Sequence, residues 1–271
     1  MLALAASVCW GIGDFLGGVG SRRLPALTVL AAAEVAGLAA IAVFVLVRGI
    51  GPPGAATFGF AAGAGLGGAL GLGALYRGMA VGAMGVVAPI SAAAAVVPVT
   101  VGLARGERPS ALQLAGVVAA LAGVALASRE PGETARLAAG VGLALVAAAG
   151  FGSYFVLIDE AADVSPAWAV LVSRGAASAA AVGAALALGK LRPPARVLPA
   201  LCVIGLFDVG ANGLLALALS KGLVSIVAVL SSLYPVVTIA LARVVLGERI
   251  GRVQAAGAGA ALAGVGMISA G

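Results

Sequence analysis

The sequence has 271 residues, of which 62% are hydrophobic and only 10% are charged, with a formal net charge of +6. A soluble domain carries about 25% charged residues because its surface faces water, so this composition excludes an ordinary globular protein. The basic residues are scattered over short connections without interleaved aromatic residues, which argues against nucleic acid and favours anionic lipid headgroups as their partner.

Apolar segments follow one another along the whole chain, separated by short turns that hold charged residues or proline. Each is close to or longer than the roughly 20 residues that cross about 30 Å of hydrocarbon as a helix. Their continuous Ala, Leu and Gly composition favours helices over strands. We predict an all-α, multi-pass protein of the cell membrane, an inner membrane, with ten transmembrane helices at 2–20, 24–47, 55–76, 82–104, 110–128, 137–158, 165–189, 197–219, 223–245 and 252–270.

The first two predicted helices carry acidic residues in otherwise apolar surroundings. Asp14 lies four residues after Trp10, so both occupy one helical face and present a carboxylate beside an aromatic surface suited to a cation. Glu34 lies in the middle of the second helix. A charge at the bilayer centre costs about 2.5 to 3.5 kcal/mol, which makes such residues candidates for a functional site.

Glycine and proline mark the third and fourth predicted helices. Pro89 and Pro98 each remove a backbone hydrogen bond and are predicted to kink the fourth helix. Glu107 and its repeat counterpart Glu248 precede the fifth and tenth helices, where a carboxylate favours a helix N-terminus. Four glycines at every fourth position of the third helix predict close approach of another helix: Gly59, Gly63, Gly67 and Gly71.

The second half of the chain adds charges and hydroxyl groups at membrane depth. Arg174 lies in the seventh predicted helix, and Asp208 and Asn212 lie four residues apart on one face of the eighth. Arg243 is a further candidate in the ninth, where Pro235 predicts a kink. The remaining features are an acidic connection between helices 6 and 7 and a group of hydroxyls beside Pro235, namely Asp159, Glu160, Asp163, Ser231, Ser232 and Tyr234.

An internal repeat with a constant offset of 141 residues organises the chain. The offset aligns Pro52-Pro53 with Pro193-Pro194 and Gly106-Glu107-Arg108 with Gly247-Glu248-Arg249. We therefore predict two five-helix repeats, 1–134 and 135–271. An odd number of helices makes the second copy enter the membrane from the opposite side, and inverted repeats of this kind place a substrate site between the halves near the midplane.

The 141-residue offset aligns Arg174 with Ala33, the residue just before Glu34. Arg174 and Glu34 therefore occupy nearly equivalent positions in the two repeats. If both lie near the pseudo-twofold axis, they form an ion pair. The alternative is that Asp14, Glu34 or Asp208 takes up a proton, because apolar surroundings favour the neutral form of a carboxylic acid.

Short motifs carry a family resemblance: Trp10-Gly11, the two Gly-Glu-Arg segments and Ser232-Leu233-Tyr234-Pro235. The chain resembles the drug/metabolite transporter superfamily in its ten-helix, EamA-like family. This resemblance implies a transporter, often an exporter of amino acids or other small metabolites, with a central cavity lined by helices 1 to 4 and 6 to 9. Asp14, Glu34 and the acidic connection at 159–163 depart from the usual pattern of that family.

Together these features predict a secondary carrier, an exporter of a small organic metabolite or drug, working by alternating access and coupled to protons. The residues predicted to bind substrate or couple transport are Trp10, Asp14, Glu34, Arg174, Asp208, Asn212, Ser231, Ser232 and Tyr234. A passive channel and a non-transporting membrane scaffold are the alternatives. Partners are expected to be the solute, protons and the bilayer, with the protein a monomer or weak homodimer.

The chain has no histidine and no Gly-rich phosphate loop ending in Gly-Lys-Ser/Thr. The first absence excludes histidine proton relays, Ser-His proteases and histidine-based zinc sites, and the second argues against ATP hydrolysis. We therefore expect no enzyme activity, no cofactor and no metal.

Counting Lys and Arg on alternate sides of the membrane, with Arg174 and Arg243 left out as intramembrane, gives 10 on one side and 4 on the other. The positive-inside rule then places both termini outside, whereas the family resemblance implies cytoplasmic termini. We follow the charge count, and the accessibility of terminal tags on intact cells decides between the two.

Overall fold

The computed structural model describes residues 1–81, 87, 90–127, 134–190, 193–246 and 252–270, and its regular structure is helical. Pro89 and Glu248 lie outside this described part. The helices are α1 (Leu2–Ser21), α2 (Ala26–Val47), α3 (Ala55–Val81), α4 (Val96–Ala104), α5 (Ala111–Ala127), α6 (Thr134–Ala162), α7 (Pro166–Ala187), α8 (Leu198–Leu219), α9 (Val224–Ser231), α10 (Tyr234–Leu246) and α11 (Arg252–Ala270).

Seven segments of the described chain are long and apolar enough to cross a membrane: Leu2–Ser21, Ala26–Val47, Ala55–Val81, Gly140–Ala162, Pro166–Ala187, Ala195–Leu219 and Val224–Val245. Three further apolar helices, Ile90–Ala104, Ala111–Gly123 and Gly259–Ile268, are shorter. Large apolar side chains cover the outer surface, such as Leu46, which is 78% exposed, and Val244, which is 81% exposed. This surface suits hydrocarbon, and the number of ten spans remains a prediction.

Helices α2 and α7, which the repeat relates to each other, pack antiparallel and end in the same way. Each ends in a glycine with positive φ, Gly49 and Gly189, where only a residue without Cβ is unstrained. The indole of Trp168, at the start of α7, donates a hydrogen bond to the Ile50 carbonyl just beyond α2 (2.9 Å). The Thr28 hydroxyl, at the start of α2, donates to the Lys190 carbonyl just beyond α7 (2.6 Å).

The glycine stripe of α3 packs against α6, but only in part. A Cβ added to Gly67 or Gly71 would collide with α6, whereas one added to Gly59 would meet nothing within 4 Å. The prediction of close packing along the whole stripe is therefore wrong at Gly59, which lies near the start of α3. Helices α5 and α11 also touch through glycine, because a Cβ on Gly116 would lie 2.8 Å from the carbonyl oxygen of Gly264.

Two helical segments are interrupted just before a proline. A 3-10 turn, Ala93–Ala95, precedes α4, and Pro98 lies in the first turn of that helix. The break between α9 and α10 lies at 232–233, and Pro235 is the second residue of α10. Both interruptions lie within a single apolar segment, Ile90–Ala104 or Val224–Val245, and each proline lies in the first turn that follows, where its missing N–H is tolerated. The kinks themselves remain predictions.

The acidic residues at 159–163 do not form a loop, which corrects the sequence prediction. Asp159 and Glu160 lie in the last turns of α6, and only Asp163 follows it. The Arg105 guanidinium, just beyond α4, pairs with Glu160 at 2.5 Å and with Asp159 at 3.7 Å. This partly exposed cluster joins the end of α4 to the end of α6.

Glu107 stabilises a different helix from the one that the sequence indicated. Its carboxylate accepts hydrogen bonds from the backbone N–H groups of Val224 (2.7 Å) and Ser225 (3.2 Å), at the start of α9. The connection after α4 folds back against Gly102, where a side chain would collide with this carboxylate. Glu107 therefore caps α9, in the second repeat, rather than α5.

We expect Glu107→Ala to lower the unfolding free energy by about 1–2 kcal/mol, because two N–H groups at the start of α9 lose their acceptor. Glu160→Ala is the matched control, since its partly exposed ion pair with Arg105 is worth at most about 1 kcal/mol. Thermal unfolding of the two purified variants in the same detergent measures the difference. Equal midpoints for the two variants would show that the Glu107 cap contributes nothing specific.

Candidate functional site

A partly open cavity of about 40 Å³ lies between the two halves of the chain. It is lined by side chains from α1, α3, α6, α7, α8 and the break between α9 and α10, together with residues preceding α4. The lining residues are Trp10, Asp14, Gly68, Leu72, Ser91, Ala94, Phe151, Tyr154, Phe155, Arg174, Asp208, Asn212, Ser232 and Tyr234.

Three charged side chains meet beside this cavity. Arg174 of α7 donates from Nη1 to Glu34 Oε2 of α2 at 2.8 Å, which is the ion pair that the repeat positions predicted. The same Nη1 also donates to Asp208 Oδ2 of α8. All three residues are buried, and Arg174 Nε has no hydrogen-bond partner within the described structure. A single guanidinium nitrogen therefore links two carboxylates from different halves of the chain.

Asp208 has further donors besides Arg174. The indole N–H of Trp10 donates to Asp208 Oδ1 at 3.1 Å, and Asn212 Nδ2 donates to the same oxygen at 3.2 Å. The hydroxyl of Tyr154, from α6, in turn donates to Asn212 Oδ1. A buried network of this kind fixes the orientation of each member, because every lost hydrogen bond would leave a desolvated polar group.

Asp14 differs from the other two acids because it has no cation beside it. It lines the cavity and is only 7% exposed, and no described residue donates a hydrogen bond or forms an ion pair with its carboxylate. Its charge repels that of Asp208. An ionised carboxylate in this position is largely buried and has no donor among the described residues, which favours the arrival of a proton or another cation.

Aromatic rings form much of the cavity wall near Asp14. Trp10 and Phe155 pack edge to face with centroids 6.0 Å apart, and Phe155 packs against Tyr154 at 6.2 Å. Phe151 and Tyr234 complete the aromatic lining. The faces of these rings carry partial negative charge, so the wall and the carboxylate attract the same kind of group.

The structure brings most of the predicted site residues together but not all of them. Trp10, Asp14, Arg174, Asp208, Asn212, Ser232 and Tyr234 line the cavity. Glu34 lies behind Arg174, outside the lining, and Ser231 is buried beside the helix break, its hydroxyl without a partner among the described residues. Arg243 is exposed near the end of α10 and is not among the residues that line the cavity.

Sequence reasoning missed the aromatic residues of α6. Tyr154 and Phe151 looked like ordinary members of an apolar helix. The sequence repeat carried a weak signal that these aromatic residues belong to the site, because it aligns Phe155 with Asp14 and Tyr154 with Gly13. Within the described residues, no group of three or more His, Cys, Asp and Glu is arranged to hold a metal ion.

Comparison with known proteins gives the family. The model of the EamA-like transporter family matches residues 1–129 and 138–270. A solved crystal structure of another protein superposes with a TM-score of 0.76 at 18% identity, covering 98% of this chain and 94% of that chain, and at this identity the likeness shows the fold alone. No curated protein matches the chain. Because the family model covers nearly all of the sequence, the chain belongs to the EamA-like transporter family and is a multi-pass membrane protein.

Proposed function

We propose that this protein is a secondary carrier that exports a small organic cation by alternating access, with protons as the coupling ion. The observation that carries the proposal is the charge balance at the cavity. Asp14, Glu34 and Asp208 place three carboxylates at or beside the cavity against one guanidinium, that of Arg174, so the formal charge of these four groups is −2 when all are ionised.

This imbalance favours positive charge in the cavity. Attraction between charges is stronger in a site of low effective dielectric constant than in water. An anionic solute would meet two uncompensated negative charges, whereas a cation or a proton would neutralise them. The aromatic wall adds cation–π attraction for an organic ammonium group.

The same carboxylates support proton coupling. A proton and an organic cation that bind the same acid exclude each other, so one is released where the other binds. Exchange of this kind couples the two movements without any further component. Asp14 is the residue best suited to it, because its carboxylate lines the cavity and no guanidinium of the described structure holds it.

Alternating access is supported by the packing of repeat-related helices. Helices α2 and α7 run antiparallel, as their reciprocal hydrogen bonds at Ile50 and Lys190 require, and α5 and α11 do so as well. Antiparallel counterparts are expected from inverted repeats, whose two halves can exchange conformations and open the cavity to either side in turn.

A thermal-shift screen followed by counterflow tests the proposal. Aromatic probes of similar size and different charge are compared: benzyltrimethylammonium, benzyl alcohol and phenylacetate. We expect the cation alone to raise the unfolding temperature of the purified protein, since a ligand that binds the folded state stabilises it. Stabilisation by phenylacetate alone would contradict the proposed substrate class.

Counterflow in proteoliposomes then distinguishes a carrier from the alternatives. A carrier exchanges labelled for unlabelled cation against a gradient, a channel only equilibrates it, and a scaffold moves nothing. We expect transient accumulation of the label, and an outward proton-driven flux when the external side is made acidic. Equilibration without accumulation would favour the channel.

A further inference from the structure

Glu34 stands apart from the other acids of the cluster. Its side chain is about as buried as any in the described structure, at 1% residue exposure, and it does not line the cavity. Its hydrogen bond within the described structure is the one from Arg174 Nη1 at 2.8 Å. Its contact with the cavity therefore runs through the guanidinium of Arg174.

Asp208 has the opposite character. It lines the cavity, and it is held by Trp10, Asn212 and Arg174 together. Asp208 and Glu34 share one nitrogen, Arg174 Nη1. Neutralisation of Asp208 by a proton or a bound cation removes one of the two counter-charges of Arg174 and leaves the other in place.

A buried guanidinium without any counter-charge is strongly unfavourable, because its desolvation is then uncompensated. If Asp208 were the only partner of Arg174, its carboxylate would be locked in the ion pair. Glu34 removes this obstacle, since Arg174 retains a paired carboxylate whichever state Asp208 occupies.

We propose that Glu34 is a positioning residue: it holds Arg174 whenever Asp208 is neutralised, and so allows Asp208 to bind and release a cation. This inference rests on the proposed function for its role in transport, but the charge coupling itself is testable without any transport. Glu34 is not a substrate-binding residue, which revises the role that the sequence allowed for it.

Several other titratable groups surround Asp208. Asp14 of α1, Tyr76 of α3 and Tyr154 of α6 interact electrostatically with it, in addition to Glu34 and Arg174. Among these described neighbours Arg174 is the sole cation. The effect of Arg174 on the ionisation of Asp208 is therefore opposite in direction to that of every acid in the group.

Trp10 provides a direct optical reporter, because its indole N–H donates to Asp208 Oδ1. The chain has two tryptophans, and Trp168 lies at the start of α7 against the Ile50 carbonyl. In a Trp168→Phe background, fluorescence therefore reports Trp10 alone. The experiment is a pH titration of this emission in the full-length protein in nanodiscs, without substrate.

We expect one transition in this background, which Asp208→Asn removes and Asp14→Asn retains. With Glu34→Gln added, Arg174 pairs with Asp208 alone. This pairing stabilises the ionised form of Asp208, so the midpoint of the transition moves to lower pH. Adding Arg174→Gln removes the cation and moves the midpoint to higher pH. Each shift should reach about one pH unit, a tenfold change in proton affinity.

Ser178→Ala is the control, since its hydroxyl lies one turn beyond Arg174, is buried and has no partner among the described residues, and its removal changes no charge. It should keep the original midpoint. Shifts in the same direction for Glu34→Gln and Arg174→Gln, or no shift in either, overturn the proposal. If Glu34→Gln does not fold, Glu34→Asp replaces it and should give a smaller shift to lower pH, and a shift to higher pH overturns the proposal.

The two proposals fail separately. Opposite midpoint shifts in a protein that exchanges no cation would support the charge coupling through Glu34 and contradict the proposed transport function. Cation counterflow without opposite midpoint shifts would support the transport function and contradict the proposed role of Glu34.

Discussion

Replacement of Asp14 by asparagine is expected to weaken binding of an organic cation about tenfold to a hundredfold and to abolish proton-driven flux. A hydrogen bond or ion pair to a charged group is worth about 1.5–3 kcal/mol, and about 1.4 kcal/mol corresponds to a factor of ten in affinity. The amide would keep the shape of the side chain but could carry neither the negative charge nor the exchangeable proton of the carboxylic acid. Equilibrium binding of benzyltrimethylammonium and acid-driven efflux of the cation from proteoliposomes measure the two effects.

The matched control is Asp163→Asn, which removes one carboxylate from an exposed position beyond α6. It changes the net charge of the protein by the same amount as Asp14→Asn but leaves the cavity intact. We expect binding and flux close to those of the wild type. If Asp14→Asn matched this control in both assays, the unpaired carboxylate would have no role in coupling and the cation proposal would lose its main support.

Asp14 and Asp208 were identifiable from sequence because acidic residues are rare and costly inside apolar helices. The pair formed by Glu34 and Arg174 was also accessible, since the repeat places the two residues at nearly equivalent positions. The sequence did not indicate that Arg174 also pairs with Asp208. That pairing depends on how α7 and α8 are rotated about their axes, and an offset between repeats carries no information on rotation.

Glu107 shows that the nearest helix along the chain need not be the one that a carboxylate stabilises. A carboxylate just before a helix normally favours that helix, which here is α5. The connection instead folds back over Gly102 and directs Glu107 to α9, whose first residue lies 117 positions further along the chain. The choice between two helix N-termini is made by tertiary packing.

The aromatic wall was missed for a related reason. Phe151, Tyr154 and Phe155 occur in a helix whose apolar composition is the same on all sides, so no periodicity separates the cavity face from the lipid face. The packing of α6, chiefly against α3, orients them. That packing in turn depends on glycines that have no side chain to obstruct it.

The contact between α3 and α6 gives the prediction with the largest expected effect on stability. A Cβ at Gly150 of α6 would lie 2.6 Å from the carbonyl oxygen of Gly67 and 2.7 Å from the backbone nitrogen of Gly71. Backbone atoms of a helix cannot move aside as a flexible side chain can, so Gly150→Ala forces α3 and α6 apart. Overpacking of this kind costs about 1–3 kcal/mol.

Gly142→Ala is the control on the same helix, because its added Cβ would meet nothing within 4 Å. There alanine is expected to be neutral or to stabilise α6 by about 0.5–1 kcal/mol, through its higher helix propensity. Thermal unfolding in nanodiscs should therefore rank Gly150→Ala clearly below Gly142→Ala. Separation of the helices would also move Tyr154 away from Asn212, so benzyltrimethylammonium should bind Gly150→Ala more weakly. Equal unfolding midpoints for the two variants would mean that α3 and α6 do not approach as closely as their glycines permit.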